Sequence, residues 1–176
     1  GAAARLEGAI DLEALQPGSS ELRASLEGLA FEPRIYEILP DQGKKIWDTY
    51  NPSGEFDFSI EAVGEEFPPQ ISEISVMLRK ADGNYAPYPY PLRDIDGEIR
   101  YTPNLLEIDL EGGLPETPVR ARGSFETVAF GERHLLIEGF GIPIDDRVRT
   151  ALGDRFSGIY DDYSPTGISD LAITLE

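Results

Sequence analysis

Two stretches of this chain match each other without a gap at an offset of 113 residues: IYEILPDQGKKIWDTYNPSGEFDFSIE at 35–61 and VRTALGDRFSGIYDDYSPTGISDLAIT at 148–174. Nine of the 27 aligned positions are identical, where ordinary composition gives about two. The identities are Leu39/Leu152, Asp41/Asp154, Ile46/Ile159, Asp48/Asp161, Tyr50/Tyr163, Pro52/Pro165, Gly54/Gly167, Asp57/Asp170 and Ile60/Ile173. LEGL at 26–29 precedes the first copy much as IEGF at 137–140 precedes the second. A fixed period of this kind confines the fold to stacked copies of one supersecondary unit. The expected organisation is the tail strands of a preceding unit over 1–30, a complete unit over 31–141, and the head of the next over 142–176. Such a chain reads as a segment of a longer array, and the opening GAAA, which has no initiator Met, fits a processed or excised piece.

Within the unit the period changes. Ile35, Ile38, Leu39, Ile46 and Tyr50 recur at helical spacing, as do Val148, Leu152, Ile159 and Tyr163. Pro40 and Gly153 interrupt them, which predicts a short helix pair over 33–50 that stops before Asn51-Pro52, with the same arrangement stopping before Ser164-Pro165. The Pro-Ser-Gly and Pro-Thr-Gly triplets that follow are turn chemistry. Beyond them, over 55–140, the period is 2, as in strands with one wet face. Phe56, Phe58 and Ile60 alternate with acids and Ser59; the same holds for Ile74, Val76 and Leu78, and for Ile95, Ile99 and Tyr101. Leu106, Ile108 and Leu110, then Val119, Ala121 and Phe125, then Leu135 and Ile137 continue the pattern. About six strands per unit result, and short polar connections such as ADGN at 81–84 and EGG at 111–113 favour an antiparallel meander over βαβ crossovers. The predicted fold class is mainly β with short helices (α+β), an antiparallel curved sheet or trough built from a repeat of about 113 residues.

Charge and composition remove several functions. The 33 Asp and Glu outweigh 15 Lys and Arg, a formal charge of −18, so nucleic acid and anionic bilayers are poor partners. Cysteine is absent, which excludes disulfides, thiol catalysis and Cys-based metal sites. No apolar run is long enough for a transmembrane helix or a signal peptide. The single histidine, His134, sits among strand alternates without a serine motif, so it reads as a surface or edge residue. Asp94-Ile-Asp96-Gly97, Asp145-Asp146 and Asp161-Asp162 lack the EF-hand spacing; Asp145 and Asp146 fall where a helix N-cap is expected. Recurrence of Asp48/Asp161 and Asp57/Asp170 points to turn-capping or strand-face roles rather than a glycosidase pair. The Pro-rich YAPYPYP at 85–91 and GEEFPP at 64–69 read as connectors. No catalytic residue, metal site or cofactor is expected.

The apolar alternates pose the functional question. Six strands of ~26 Å at ~4.8 Å spacing offer ~750 Å² of face. A helix head ~25 Å long and ~10 Å wide shields roughly a third of that. A curled sheet, a neighbouring unit, a partner or an apolar ligand must meet the remainder.

YPLRDIDGEIRY at 90–101, NLLEIDLEGG at 104–113, PVRARG at 118–123 and the helix-Pro-x-Gly-strand head together resemble the strand cadence of AsmA-like proteins of bacterial envelopes, the TamB and YhdP types among them. The resemblance covers most of 31–176 and rests on cadence more than on invariant chemistry. It implies a periplasmic protein, anchored to the inner membrane through a segment outside this one, whose β-trough carries phospholipid. The trough lining would be Phe56, Phe58, Ile60, Ile74, Val76, Leu78, Ile95, Ile99, Tyr101, Leu106, Ile108, Leu110, Val119, Phe125, Leu135 and Ile137. The partner is then a phospholipid or other apolar ligand, with no nucleic acid and no enzymatic step. A β-rich scaffold module that covers its own apolar face is the competing expectation.

Overall fold

A computed structural model describes residues 20–39, 41–64, 70–84, 86, 91–127 and 132–175. Its elements run β1 (Ser20–Ala30), α1 (Pro33–Ile38), α2 (Asp41–Tyr50), β2 (Ser53–Gly64), β3 (Gln70–Asn84), β4 (Pro91–Thr102), β5 (Leu105–Leu114), β6 (Thr117–Glu126), β7 (Arg133–Pro143), α3 (Asp146–Tyr163) and β8 (Ile168–Leu175). The strands form one sheet in sequence order, β1 to β8, and every neighbouring pair is antiparallel. The fold is therefore an open, mainly antiparallel β-sheet with a few short helices. The six strands expected over 55–140 are β2 to β7; β1 and β8 extend the sheet on either side.

The helices begin and end for local reasons. Proline opens α1, where its missing N–H costs nothing, and Leu39, which precedes Pro40, is extended at φ −67° and ψ 143°. Helix α2 ends on Asn51 at φ 42°. Asp145 caps α3, accepting the Arg147 N–H at 2.9 Å, and Gly153, at φ 60° and ψ −177°, divides α3 into two segments. Ser164, at φ 43°, closes it with an N–H bond to the Tyr160 carbonyl.

Two expected connections lie inside strands instead. ADGN at 81–84 belongs to β3, with Asp82 opposite Ser53 and Gly83 opposite Leu92. EGG at 111–113 belongs to β5, paired with β4 and with Pro118, Val119 and Arg120 of β6. Asp and Gly favour turns locally, but partners on both sides extend the ladder through them; the chain reverses instead at Pro103-Asn104 and Pro115-Glu116. The connectors at 65–69 and 87–90 lie outside the described residues.

Four residues of the sheet sit in the left-handed region: Gly28 (φ 64°), Lys80 (φ 47°), Asp94 (φ 49°) and Gly141 (φ 63°). Each lies at or beside a register shift, and each N–H donates to an aspartate. Gly28 donates to Asp57 at 2.9 Å, Lys80 to Asp96 at 3.1 Å, Asp94 to Asp82 at 3.1 Å and Gly141 to Asp170 at 2.9 Å. A bulge takes an amide out of its ladder, and these carboxylates restore the missing acceptor.

Arg79 bonds the other oxygen of Asp57, Nε at 2.6 Å. Arg79 first, and then the Gly28 N–H, hold the Asp57 carboxyl below its ordinary pKa. Its stabilising contribution is thus complete above the unfolded value of about 3.9 and is lost as pH falls from there through the lower folded value. Asp57→Ala should lower unfolding stability by about 1–3 kcal/mol in urea titrations at neutral pH, with the deficit shrinking below about pH 4. An equal deficit at all pH values would mean that the charge plays no part.

Candidate ligand-binding face

Residues directly opposite in an antiparallel pair point to the same side, so the registers sort every side chain. One row across the sheet is Leu29, Phe56, Leu78, Gly97, Leu110, Ala121, Ile137 and Ile173. The next is Leu26, Phe58, Val76, Ile99, Ile108, Gly123, Leu135 and Leu175. A third is Ala24, Ile60, Ile74, Tyr101, Leu106 and Phe125. Ile95 and Val119 share this parity on β4 and β6, so all sixteen residues expected to line a trough lie on one face. The sequence argument omitted the outer strands, where Leu22, Ala24 and Leu26 of β1 and Leu171 of β8 extend the rows. Their alternation was visible in ELRASL at 21–26; the pairing that places them on this face was not.

Little covers that face. Among the described residues only Phe56, Ala62, Ala81 and Ile95 are buried apolar side chains, and none falls below 2 % exposure. Phe58, Val76, Ile99, Ile108 and Leu135 are half-buried, shielded by their row neighbours, and Tyr101 is 38 % exposed. No strand packs substantially on any but its sequence neighbours, so neither a barrel nor a second layer closes over the rows. The helices shelter one end. Trp47 of α2 meets Phe31 edge-on at 5.5 Å, Phe31 lies 4.4 Å from Phe56, and the Ala86 N–H bonds the Thr49 carbonyl at 2.7 Å. Three of the four buried residues, Phe56, Ala81 and Ile95, lie at this end.

Two glycines interrupt the rows where neighbouring backbone comes too close for a side chain. A Cβ on Gly123 would strike the His134 carbonyl oxygen and lie 2.7 Å from the Leu135 Cα; one on Gly97 would strike the Asp109 carbonyl oxygen. Such close approaches accompany bending of the strands.

The opposite face is polar. Its rows include Ser59, Ser75, Arg100, Glu107, Ser124 and His134, and Asp57, Met77, Glu98, Asp109 and Arg122. Arg100 stands among Glu98 at 3.2 Å, Glu107 at 3.9 Å and Glu73 at 4.0 Å; Arg122 pairs with Asp109 at 2.8 Å and Arg23 with Glu61 at 3.1 Å. His134 thus lies opposite Ser124 on the wet side, among strand alternates. No cluster of three metal-ligating side chains occurs among the described residues. Asp48 and Asp161 tie the two segments of each helix head together rather than capping a turn or facing a strand. Asp48 accepts from the Tyr36 hydroxyl at 3.3 Å and Asp161 from Arg149 Nε at 2.6 Å.

Comparison with protein-family models, curated proteins and solved structures gives no match for this chain. No helix among the described residues is long and apolar enough to cross a membrane.

Gly123→Val should cost about 1–3 kcal/mol by forcing β6 and β7 apart, read as a lower urea midpoint. An unchanged midpoint would show that the strands relax freely at this position.

Proposed function

We propose that this chain is a repeat segment of AsmA-like type, a non-enzymatic β-trough that binds or conducts the acyl chains of phospholipid between membranes of a bacterial envelope. The observation that carries the proposal is the continuous apolar face, eight strands wide, with almost nothing packed on it. Eight strands span ~34 Å across the ladders, about twice the hydrocarbon depth of one bilayer leaflet. An acyl chain lying along a row meets an apolar side chain at most steps. Burying it removes its own surface and that of the row from water, worth ~25 cal/mol per Å². Binding of this kind needs no charged pathway, and the acidic residues of the other face keep the array in solution.

The proposal includes the 113-residue unit. β1 begins and ends 113 residues before β7, and the two segments of α3 fall 113 residues after α1 and α2. The register shift between Leu26 and Leu29 recurs between Gly139 and Ile142. If the units are equivalent, the row that starts at Leu26 arrives at Leu135, the counterpart of Leu22, so each unit shears the sheet by four residues over six strands. That shear tilts the strands ~25° from perpendicular to the array axis and gives an advance of ~29 Å per unit, a geometry that curls as barrel walls do. An array of several units, anchored in the inner membrane through a segment outside this one, would cross a periplasm.

A pair of adjacent substitutions tests the function, because Phe58 and Ser59 point to opposite faces. Phe58→Asp should weaken binding of a fluorescent fatty acid at least about tenfold while the chain stays folded, and Ser59→Asp should leave it unchanged. Ile99→Asp should behave as Phe58→Asp does. If Phe58→Asp and Ile99→Asp both unfold the chain, the face is a closed core and the scaffold alternative takes the place of the trough.

A further inference from the structure

The two ends of this sheet are built alike at one joint and differ at its outer side. At the first joint β1 pairs β2, the Phe31 N–H bonds the Gly54 carbonyl at 3.1 Å, and Asp57 holds the Gly28 N–H. At the second β7 pairs β8, the Ile144 N–H bonds the Gly167 carbonyl at 3.0 Å, and Asp170 holds the Gly141 N–H. The outer edge of β2 is occupied by β3, which places Glu55 opposite Arg79 and brings the guanidinium of Arg79 to Asp57. Among the described residues no strand pairs the outer edge of β8, and Asp170 has no cationic partner. Leu171 is 46 % exposed, whereas Phe58, its counterpart on β2, is half-buried.

We infer that the free edge of β8 is a docking edge for one antiparallel strand of the β3 pattern, which brings an arginine to Asp170 and apolar alternates beside Leu171. The inference rests on the equivalence of the two joints proposed above. Two features identify the occupant. Continuity with the β2–β3 ladder fixes the register, with Val76-like and Ile74-like residues opposite Leu171 and Ile173 and an arginine two positions beyond the residue opposite Asp170. Charge complementarity supplies the second, since a carboxylate that accepts one backbone N–H has a free oxygen for a guanidinium. A second copy of this chain fits poorly. Its exposed strand would be β1, the counterpart of β7, whose outer neighbour in the sheet is β6 and not a strand of the β3 pattern. The mode is β-augmentation, in which main-chain bonds supply affinity and alternate side chains supply choice.

The test uses the full chain, isotopically labelled, with a synthetic peptide of the β3 sequence, Gln70–Asn84. The peptide should slow exchange of amides in Ile168–Leu175 and shift the Gly141 amide resonance. Asp170→Ala in the chain, or Arg79→Ala in the peptide, should each weaken binding about tenfold, and the two together no further than either alone. Absence of protection at β8, or equal binding of a scrambled peptide, overturns the docking edge. Before any peptide is added, Asp57→Ala should move the Gly28 amide and Asp170→Ala the Gly141 amide. If Gly141 does not respond, the equivalence of the joints fails. If it responds and the peptide still does not bind, only the docking edge fails.

Discussion

In an antiparallel sheet one number per strand pair, the register, decides which side every residue faces, and a slip of one residue would exchange the faces. The seven ladders here agree: from β1 to β8 the apolar alternates fall on one side and the ion pairs of Arg23, Arg79, Arg100 and Arg122 on the other. Each strand pairs the one that precedes it in sequence, so the topology requires no crossover and closes no barrel. A single-layer sheet of this kind buries little, and its side chains are sheltered chiefly by row neighbours. Its apolar face is therefore both the main source of lateral cohesion and a surface available to an apolar ligand.

The irregularities show how the sheet tolerates bending. At Gly28, Lys80, Asp94 and Gly141 the backbone leaves the β region and an aspartate accepts the freed N–H. Part of the strong negative charge thus has a structural cause. Asp82, like Asp57, is held below its ordinary pKa first by an arginine, here Arg93, and then by a backbone N–H. The acids that repel nucleic acid and anionic surfaces also keep the curved ladder satisfied.

Local pattern made much of this legible. The period of 2 in Phe56, Phe58 and Ile60, and its counterparts through Ile137, located β2 to β7 and the face they share, because alternation is a direct projection of strand geometry. Pro40 and Gly153 marked the division of the helix heads, since one removes a backbone donor and the other accepts φ 60°. The ends of β3 and β5 were misread because Asp82-Gly83 and Gly112-Gly113 carry turn chemistry, and only strands brought in from elsewhere pull them into a ladder. The recurrence of Asp57 and Asp170 was visible, yet their partners Gly28 and Gly141 lie 29 residues away, across a pairing that local sequence does not encode. Coverage of the apolar face was likewise beyond local pattern, being a property of which elements pack and not of what each contains.

The central claim is that the apolar face is a ligand surface and not an unfinished core. Native mass spectrometry of the full chain, purified from bacteria without detergent, tests it most directly. The account predicts a folded protein carrying phospholipid, released as a defined mass on activation. A stable monomer that emerges lipid-free and takes up no added phospholipid would contradict it.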